Sequence, residues 1–118
     1  MDDEGMKIGE VAERTGLSIR SLRHYDDVGV VSPSGKTPGG FRLYSERDVE
    51  RILLVRRMKP LQFTLEEMRE FLDAAENPDS PGARATIERV HEEARNRLAK
   101  LRQRVGYAEE FLGIIEEL

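Results

Sequence analysis

The chain contains no cysteine and only two histidines, and these absences limit the chemistry open to its 118 residues. Without thiols no disulfide can form, and two histidines alone do not complete a zinc site, so His24 is not expected to be a metal ligand. The sequence has no set of nucleophile, base and orienting group, and no glycine-rich phosphate loop. We therefore expect a protein that is not an enzyme and that uses no cofactor.

Long apolar runs are also missing, and the chain starts with acidic residues. A membrane span needs about 18 or more consecutive apolar residues, and no stretch of that kind occurs. Asp2, Asp3 and Glu4 differ from the basic start of a signal peptide. We expect a cytoplasmic protein with no membrane partner, in which residues 1–6 form a disordered lead-in.

The charges are unevenly distributed along the sequence. The formal net charge is -4, yet the part from Lys7 to Pro60 carries 11 basic against 7 acidic residues, a local balance of +4. The part from Leu61 onward carries 8 basic against 13 acidic residues. Phosphate contacts act within a Debye length of about 10 Å, so a locally basic region can attract DNA in an acidic chain.

A helix-turn-helix is predicted in this basic region. Val11 and Ala12 lie on one face of a short helix, Gly16 suits a turn with positive φ, and Ser18 can cap a second helix. The solvent face of the second helix carries side chains that can reach bases and phosphates in a major groove. These candidate DNA contacts are Ser18, Arg20, Ser21, Arg23, His24 and Tyr25.

Simpler interpretations of these residues also exist. Arg20 and Arg23 can be solvated surface charges, although the helix-turn-helix pattern around them favours DNA contact. Tyr25 can be a core aromatic with its hydroxyl at the rim, or the hydroxyl can bond a phosphate, and the two roles are compatible.

Beyond Gly29 the pattern changes to that of a β-hairpin, which we interpret as a wing. Val30 and Val31 form one predicted strand, residues 41–44 form the other, and a loop rich in glycine and proline joins them. Alternation along the second strand predicts Phe41 and Leu43 inward, with Arg42 and Tyr44 outward. The candidate DNA contacts of the wing are Lys36, Arg42 and Tyr44. An ordinary hairpin with incidental charge is the alternative.

Residues 7–75 resemble the DNA-binding domain of the MerR family of bacterial transcription regulators. Four separated motifs carry the resemblance, namely I-G-E-V-A-E-R-T-G-L-S, L-R-H-Y-D-D-V-G-V, G-F-R-L-Y-S and Q-F-T-L-E-E-M. The resemblance implies a mainly α fold: a winged helix-turn-helix with a two-stranded wing, a further helix pair, and a long C-terminal helix that dimerises as an antiparallel coiled coil. The family pattern often has glycine where Gln62 stands and seldom needs Pro60, a mild departure.

The helix pair is predicted by its start signals. Ser45 with Asp48, and Thr64 with Glu67, have the spacing of capping boxes, and Pro60 ends or kinks the helix that Ser45 starts. A linker is expected over residues 76–82, where proline, asparagine and glycine accumulate.

The dimerisation helix is predicted over residues 83–118. Apolar residues recur there at heptad spacing, with one stutter, over roughly 42 Å of helix. Since a stripe of that length exceeds what a domain of this size can cover, a second copy is favoured over folding back onto the same chain. The seam consists of Ile87, Val90, Ala94, Leu98, Leu101, Val105, Ala108, Leu112 and Ile115.

These features predict a homodimeric transcription regulator whose partner is double-stranded promoter DNA at a pseudo-palindromic site. The resemblance implies that such a dimer bends and untwists the promoter spacer, and thereby acts on RNA polymerase indirectly. The alternative is a protein-interaction adapter that uses the coiled coil while its DNA binding is weak or lost. The effector is unknown: a small apolar ligand near Tyr107, Phe111 and Ile114 is one option, and action without any ligand is another.

Overall fold

The structure of the protein is a computed structural model, which describes residues 5–118. Two compact units divide the chain, one ending at Asp73 and the other running from Ala74 to Leu118. Within the described residues, none of the helices combines the length and apolarity needed to cross a membrane.

The first unit is mainly helical with a small wing. In chain order its elements are α1 (Ile8–Thr15), α2 (Ile19–Asp27), β1 (Gly35–Lys36), β2 (Arg42–Leu43) and α3 (Glu46–Met58), then a 3₁₀ turn (Lys59–Leu61) and most of α4 (Leu65–Glu76). The two strands pair antiparallel, with Gly35 opposite Leu43 and Lys36 opposite Arg42.

Several predicted start signals are confirmed by hydrogen bonds. The Ser45 side chain accepts from the Asp48 amide while the Asp48 carboxylate accepts from the Ser45 amide, which is a capping box at the start of α3. The same exchange joins Thr64 and Glu67 at the start of α4, over 2.8 and 3.1 Å. These local bonds determine where each helix begins.

The core of this unit lies where the helices meet the base of the wing. Its most deeply buried apolar side chains, each at most 2% exposed, come from α1, α2, α3 and α4 and from the segments on either side of the wing. They are Val11, Leu22, Val30, Tyr44, Val49, Ile52, Val55, Met68 and Leu72. The helix-turn-helix and the wing are therefore anchored to one hydrophobic core.

Two expectations about the N-terminal region are wrong. Val30 and Val31 are buried core residues outside any strand, because the first wing strand begins only at Gly35. Met6, assigned to a disordered lead-in, is 4% exposed and exchanges both backbone hydrogen bonds with Tyr44. Burial of the Met6 side chain and this bridge give Met6 an ordered position; residues 1–4 lie outside the described residues.

The turn after α3 places a non-glycine residue in a left-handed conformation. Pro60 lies in the 3₁₀ turn that follows Met58, and Gln62 then has φ 64 and ψ 32, with its amide donating to the Lys59 carbonyl oxygen over 2.8 Å. Left-handed backbone is costly for a residue with a Cβ. This explains why glycine would suit the position of Gln62.

The second unit is dominated by α5 (Ala83–Glu116), a single helix of 34 residues that follows the turns of residues 77–82. At about 1.5 Å per residue, it is roughly 50 Å long. Much of the predicted seam is exposed in the single chain: Leu98, Val105, Leu112 and Ile115 range from 38 to 55%. A soluble helix does not normally leave such a stripe in water.

Candidate DNA-binding surface

The orientation of α2 is fixed by the turn that precedes it. Gly16 has φ 75, as predicted, and the Ser21 amide donates to the Ser18 hydroxyl over 3.0 Å, so Ser18 caps α2. Buried Thr15 donates from its hydroxyl to the Val11 carbonyl oxygen over 2.8 Å. The Arg56 guanidinium of α3 donates to the Thr15 carbonyl oxygen and so ties the turn to the next helix.

Helix α2 has one buried face and one exposed face. Leu22 and Tyr25 are 1 and 4% exposed and belong to the core, whereas Arg20, Arg23 and His24 are exposed. Side chains three and four residues apart share a helix face, so the two arginines and the histidine form one outward cluster. Their proposed contact with DNA is compatible with this geometry and stays a prediction.

The two predicted serines have different environments. Ser18 is exposed at the N-terminus of α2, where a helix offers free amide groups. Ser21 is half-buried, and its hydroxyl lies 3.1 Å from that of Ser18. Ser18 is therefore the more accessible of the two for a phosphate.

A cleft beside α2 reveals a basic residue that the sequence patterns did not single out. The cleft is lined by Arg20 and His24 of α2, by Lys59 of the 3₁₀ turn, and by apolar side chains that include Phe63 and Met68. Lys59 is exposed and adds a third basic side chain at this edge. Its only sequence signal is its position before Pro60, where the helix must end and the chain must turn.

The wing places further cations on the surface of the same unit. Lys36 and Arg42 are paired across the two strands and both are exposed. Phe41 is 62% exposed, and the Lys7 ammonium lies 4.5 Å from the centre of its ring, within cation–π range. Phe41 was predicted to face inward, and that prediction is wrong.

Tyr44 is a core residue, so its assignment as a DNA contact is wrong. It is 2% exposed, and its backbone is held by the bridge to Met6. Burial raises the pKa of the Tyr44 phenol, and the nearby Asp26 carboxylate raises it further. The two-residue strands are too short to enforce alternation between the faces of a sheet.

Tyr25 is also mainly buried but lines the cleft beside α2, so a phosphate bond from its hydroxyl stays a prediction.

Two carboxylates hold the base of the wing against the helices. Asp48 of α3 is 6% exposed, and its Oδ2 accepts from the Ser34 amide at 3.0 Å, the Ser34 hydroxyl at 2.7 Å and the Ser45 amide at 2.9 Å. Asp26, in the last turn of α2, accepts from Arg42 of the wing over 2.8 Å. The wing is therefore attached at both α2 and α3.

An exposed ion pair lies at another edge of this unit. The Arg14 guanidinium donates to both carboxylate oxygens of Glu46, over 2.7 and 3.0 Å. This hydrogen bonding lowers the pKa of Glu46 and raises that of Arg14. Because both side chains are well exposed, water and salt screen the pair.

The second apolar line of α5 is even more exposed than its seam. Tyr107, Phe111 and Ile114 are 61 to 64% exposed, and Leu118, just beyond the end of α5, is fully exposed. Together with the seam they give the C-terminal half of α5 a broad apolar face.

The chain matches two family models. The model of the MerR helix-turn-helix family of regulatory proteins matches residues 6–75, and the model described as MerR, DNA binding, matches residues 49–106. Among curated proteins, the HTH-type transcriptional activator mta of Bacillus subtilis is 43% identical over 67 residues, which is 57% of this chain and 26% of that protein. The chain thus spans about a quarter of that relative.

Several solved structures share the fold, and two of them cover nearly the whole chain. A MerR family transcriptional regulator from Bacillus thuringiensis aligns with a TM-score of 0.80 at 18% identity, covering 97% of this chain and 99% of the other. HiNmlR, a MerR family regulator lacking the sensor domain, was solved bound to promoter DNA. It aligns with a TM-score of 0.76 at 19% identity over 96% of this chain and 91% of its own.

Proposed function

The chain belongs to the MerR family of helix-turn-helix regulatory proteins, and we propose that it regulates transcription by binding promoter DNA as a homodimer. The observation that carries the proposal is one set of exposed basic side chains distributed over α2, the wing and the 3₁₀ turn of a single unit. We call this set the cationic surface; it consists of Arg20, Arg23, Lys36, Arg42 and Lys59.

The parts of this surface suit different roles in DNA recognition. Arginine on an exposed helix face can bond guanine bidentately in the major groove, as we propose for Arg20 and Arg23. Lys36 and Arg42 on the wing, and Lys59 beside the cleft, suit phosphate contacts, which set register without reading sequence. Support for DNA as the partner comes from the solved relative bound to promoter DNA.

The charge pattern of α5 supports an antiparallel dimer. Arg95, Arg102, Glu109 and Glu116 recur every seven residues on one flank of the helix, so the flank changes sign halfway. In an antiparallel pair, this flank of one helix faces the same flank of the other in reverse order, so the arginines of one helix lie opposite the glutamates of its partner. In a parallel pair this flank faces the other flank of the partner helix, and these four residues do not face one another. Such a dimer joins two cationic surfaces related by a two-fold axis and suits a pseudo-palindromic site.

Binding of this kind gives a route to regulation. Two surfaces joined through one coiled coil can bend and untwist the promoter spacer, at a cost of a few kcal/mol that the added contacts offset. The effect reaches RNA polymerase through the geometry of its promoter elements.

The DNA proposal is tested by selecting bound fragments from the host's genomic DNA and titrating them over a salt series. Arg23→Ala should weaken binding. If Arg23 neutralises one phosphate, the change should also lower the magnitude of the salt slope, which is the slope of the logarithm of the binding constant against the logarithm of salt concentration, by about 0.9. If Arg23 contacts only a base, its loss should relax sequence preference while the slope is kept. Lys100→Ala removes a cation from α5 and serves as the matched control. A wild-type protein without salt-dependent duplex binding would favour the adapter alternative.

The dimer proposal is tested by light scattering. Leu101→Asp places a charge in the seam and should yield monomers, whereas Gln103→Asp, on the opposite side of α5, should leave the mass unchanged. Arg102→Glu should weaken the dimer, and adding Glu109→Arg should restore it, because an antiparallel register places these positions opposite each other. A dimeric Leu101→Asp variant would contradict the seam.

A further inference from the structure

Arg42 joins the wing to α2 through a contact with Asp26. Arg42 Nη1 lies 2.8 Å from Asp26 Oδ2, and Arg42 Nη2 lies 3.4 Å from Asp26 Oδ1, so two guanidinium nitrogens face both carboxylate oxygens. The two residues are 16 positions apart, one on β2 and the other in the last turn of α2. The contact therefore connects the two elements that carry most of the cationic surface.

The exposure of the two partners is unequal. The Asp26 side chain is 19% exposed, whereas the Arg42 side chain is 57% exposed. A guanidinium has five N–H donors in a planar fork, and the contact with Asp26 uses one edge of that fork. The other edge is left for a second acceptor, so Arg42 can hold Asp26 and a phosphate at the same time.

Two opposite effects of Asp26 on DNA binding are conceivable. Its negative charge can mask Arg42, in which case removing Asp26 would strengthen binding. It can instead fix Arg42 in place, so that less side-chain freedom is lost when a phosphate binds. The geometry favours the second effect, because Asp26 is the more covered partner and Arg42 the more exposed one.

We propose that Asp26 is a positioning residue for DNA binding, which orients Arg42 so that its free N–H groups meet a phosphate beside α2. This inference rests on the proposed function. Asp26 itself does not touch the DNA; it acts through Arg42.

The experiment measures duplex binding by the full-length protein with fluorescence anisotropy over a salt series. The probe is a labelled pool of random-sequence duplexes, since a phosphate contact carries no sequence information. Asp26→Asn should weaken binding about three- to ten-fold, the range that ordering one long side chain can produce. The salt slope should stay near that of the wild type, because Arg42 still reaches the phosphate.

Asp27→Asn is the matched control. Asp27 is exposed in the same helical turn, and the change removes the same charge without touching the contact with Arg42. This variant should bind as well as the wild type or slightly better. Tighter binding by Asp26→Asn than by Asp27→Asn would show masking and would overturn the proposal.

Arg42 variants separate positioning from a general loss of structure. Arg42→Ala should lower the magnitude of the slope by about 0.9, and Asp26→Asn should then have no further effect on binding. Arg42→Lys keeps the charge but cannot form the two-point contact, so it should resemble Asp26→Asn. An effect of Asp26→Asn that persists in the Arg42→Ala background would refute positioning through Arg42, and urea unfolding of each variant would identify a folding defect.

The outcomes distinguish this inference from the function on which it rests. Wild-type protein that shows no salt-dependent duplex binding refutes the proposed function, and the positioning role fails with it. Wild-type binding together with an Asp26→Asn variant of unchanged affinity refutes the positioning role alone.

Discussion

Replacing Asp48 by alanine should strongly destabilise the first unit, because this carboxylate joins the base of the wing to α3. The side chain is 6% exposed, and one of its oxygens accepts three hydrogen bonds, two from Ser34 and one from the Ser45 amide. Alanine leaves the three donors without this acceptor and also removes one half of the capping box.

The size of the loss follows from these contacts. A hydrogen bond to a charged group contributes about 1.5–3 kcal/mol, but three bonds to one oxygen share its charge and do not add fully. Ser34 is exposed, so its freed donors can turn to water, whereas the Ser45 amide is less accessible. We expect the free energy of unfolding to fall by roughly 2–4 kcal/mol for Asp48→Ala. Ser34→Ala removes only the hydroxyl bond and should cost about 1 kcal/mol.

Urea unfolding followed by circular dichroism measures the difference, at one fixed protein concentration because a dimer would make stability depend on it. Glu50→Ala removes an exposed carboxylate from the same helix and should change stability by less than about 0.5 kcal/mol. If Asp48→Ala lowers the free energy of unfolding no more than this control does, the carboxylate does not hold the wing to α3.

Three further predictions concern local strain and pH. Gln62→Gly should raise the free energy of unfolding by about 0.5–1 kcal/mol, because glycine adopts the left-handed backbone without strain, while Gln62→Ala should not; a lower urea midpoint for the glycine variant would contradict this. Burial raises the pKa of Tyr44, so the folded state holds its phenol proton more tightly than the unfolded state does. The contribution of this phenol to the free energy of unfolding should be complete below about pH 10 and should fall as the pH rises through the raised pKa of the folded state. Tyr44→Phe should abolish this alkaline loss of stability, and an unchanged slope of stability against pH in that variant would contradict the prediction. The bond from Arg14 lowers the pKa of Glu46. The contribution of the Glu46 carboxylate to stability is therefore present above the ordinary glutamate pKa and is lost as the pH falls through the lowered pKa. Glu46→Gln should slightly flatten the acid limb of the stability curve, and a steeper limb would refute the assignment.

The features that the sequence predicted well are local ones. Ser18, Ser45 and Thr64 each bond a group three residues ahead, so their residue types and spacing already contain the interaction. Gly16 similarly meets the need for positive φ at its own position. The long helix α5 follows from a periodicity sustained over several heptads.

The features that were missed depend on contacts between distant parts of the chain. Met6 pairs with Tyr44, and Asp26 pairs with Arg42, across separations that periodicity does not encode. Alternation failed at the wing because a strand of two residues has no repeating pattern, so Tyr44 could turn inward and Phe41 outward. Lys59 lies beside α2 only because the chain turns at Pro60.

The same contacts explain how an acidic chain can present a basic surface. Two of the acidic residues in the first unit, Asp26 and Glu46, are paired with arginines, and a third, Asp48, is engaged by three donors at the base of the wing. Asp48 and Asp26 hold the wing to the helices, and Glu46 is balanced by Arg14 at the surface, while exposed cations of α2, the wing and the 3₁₀ turn face outward. The salt dependence of DNA binding should therefore follow the cations of this surface that contact phosphates, by about 0.9 in slope for each such contact, and not the net charge of -4.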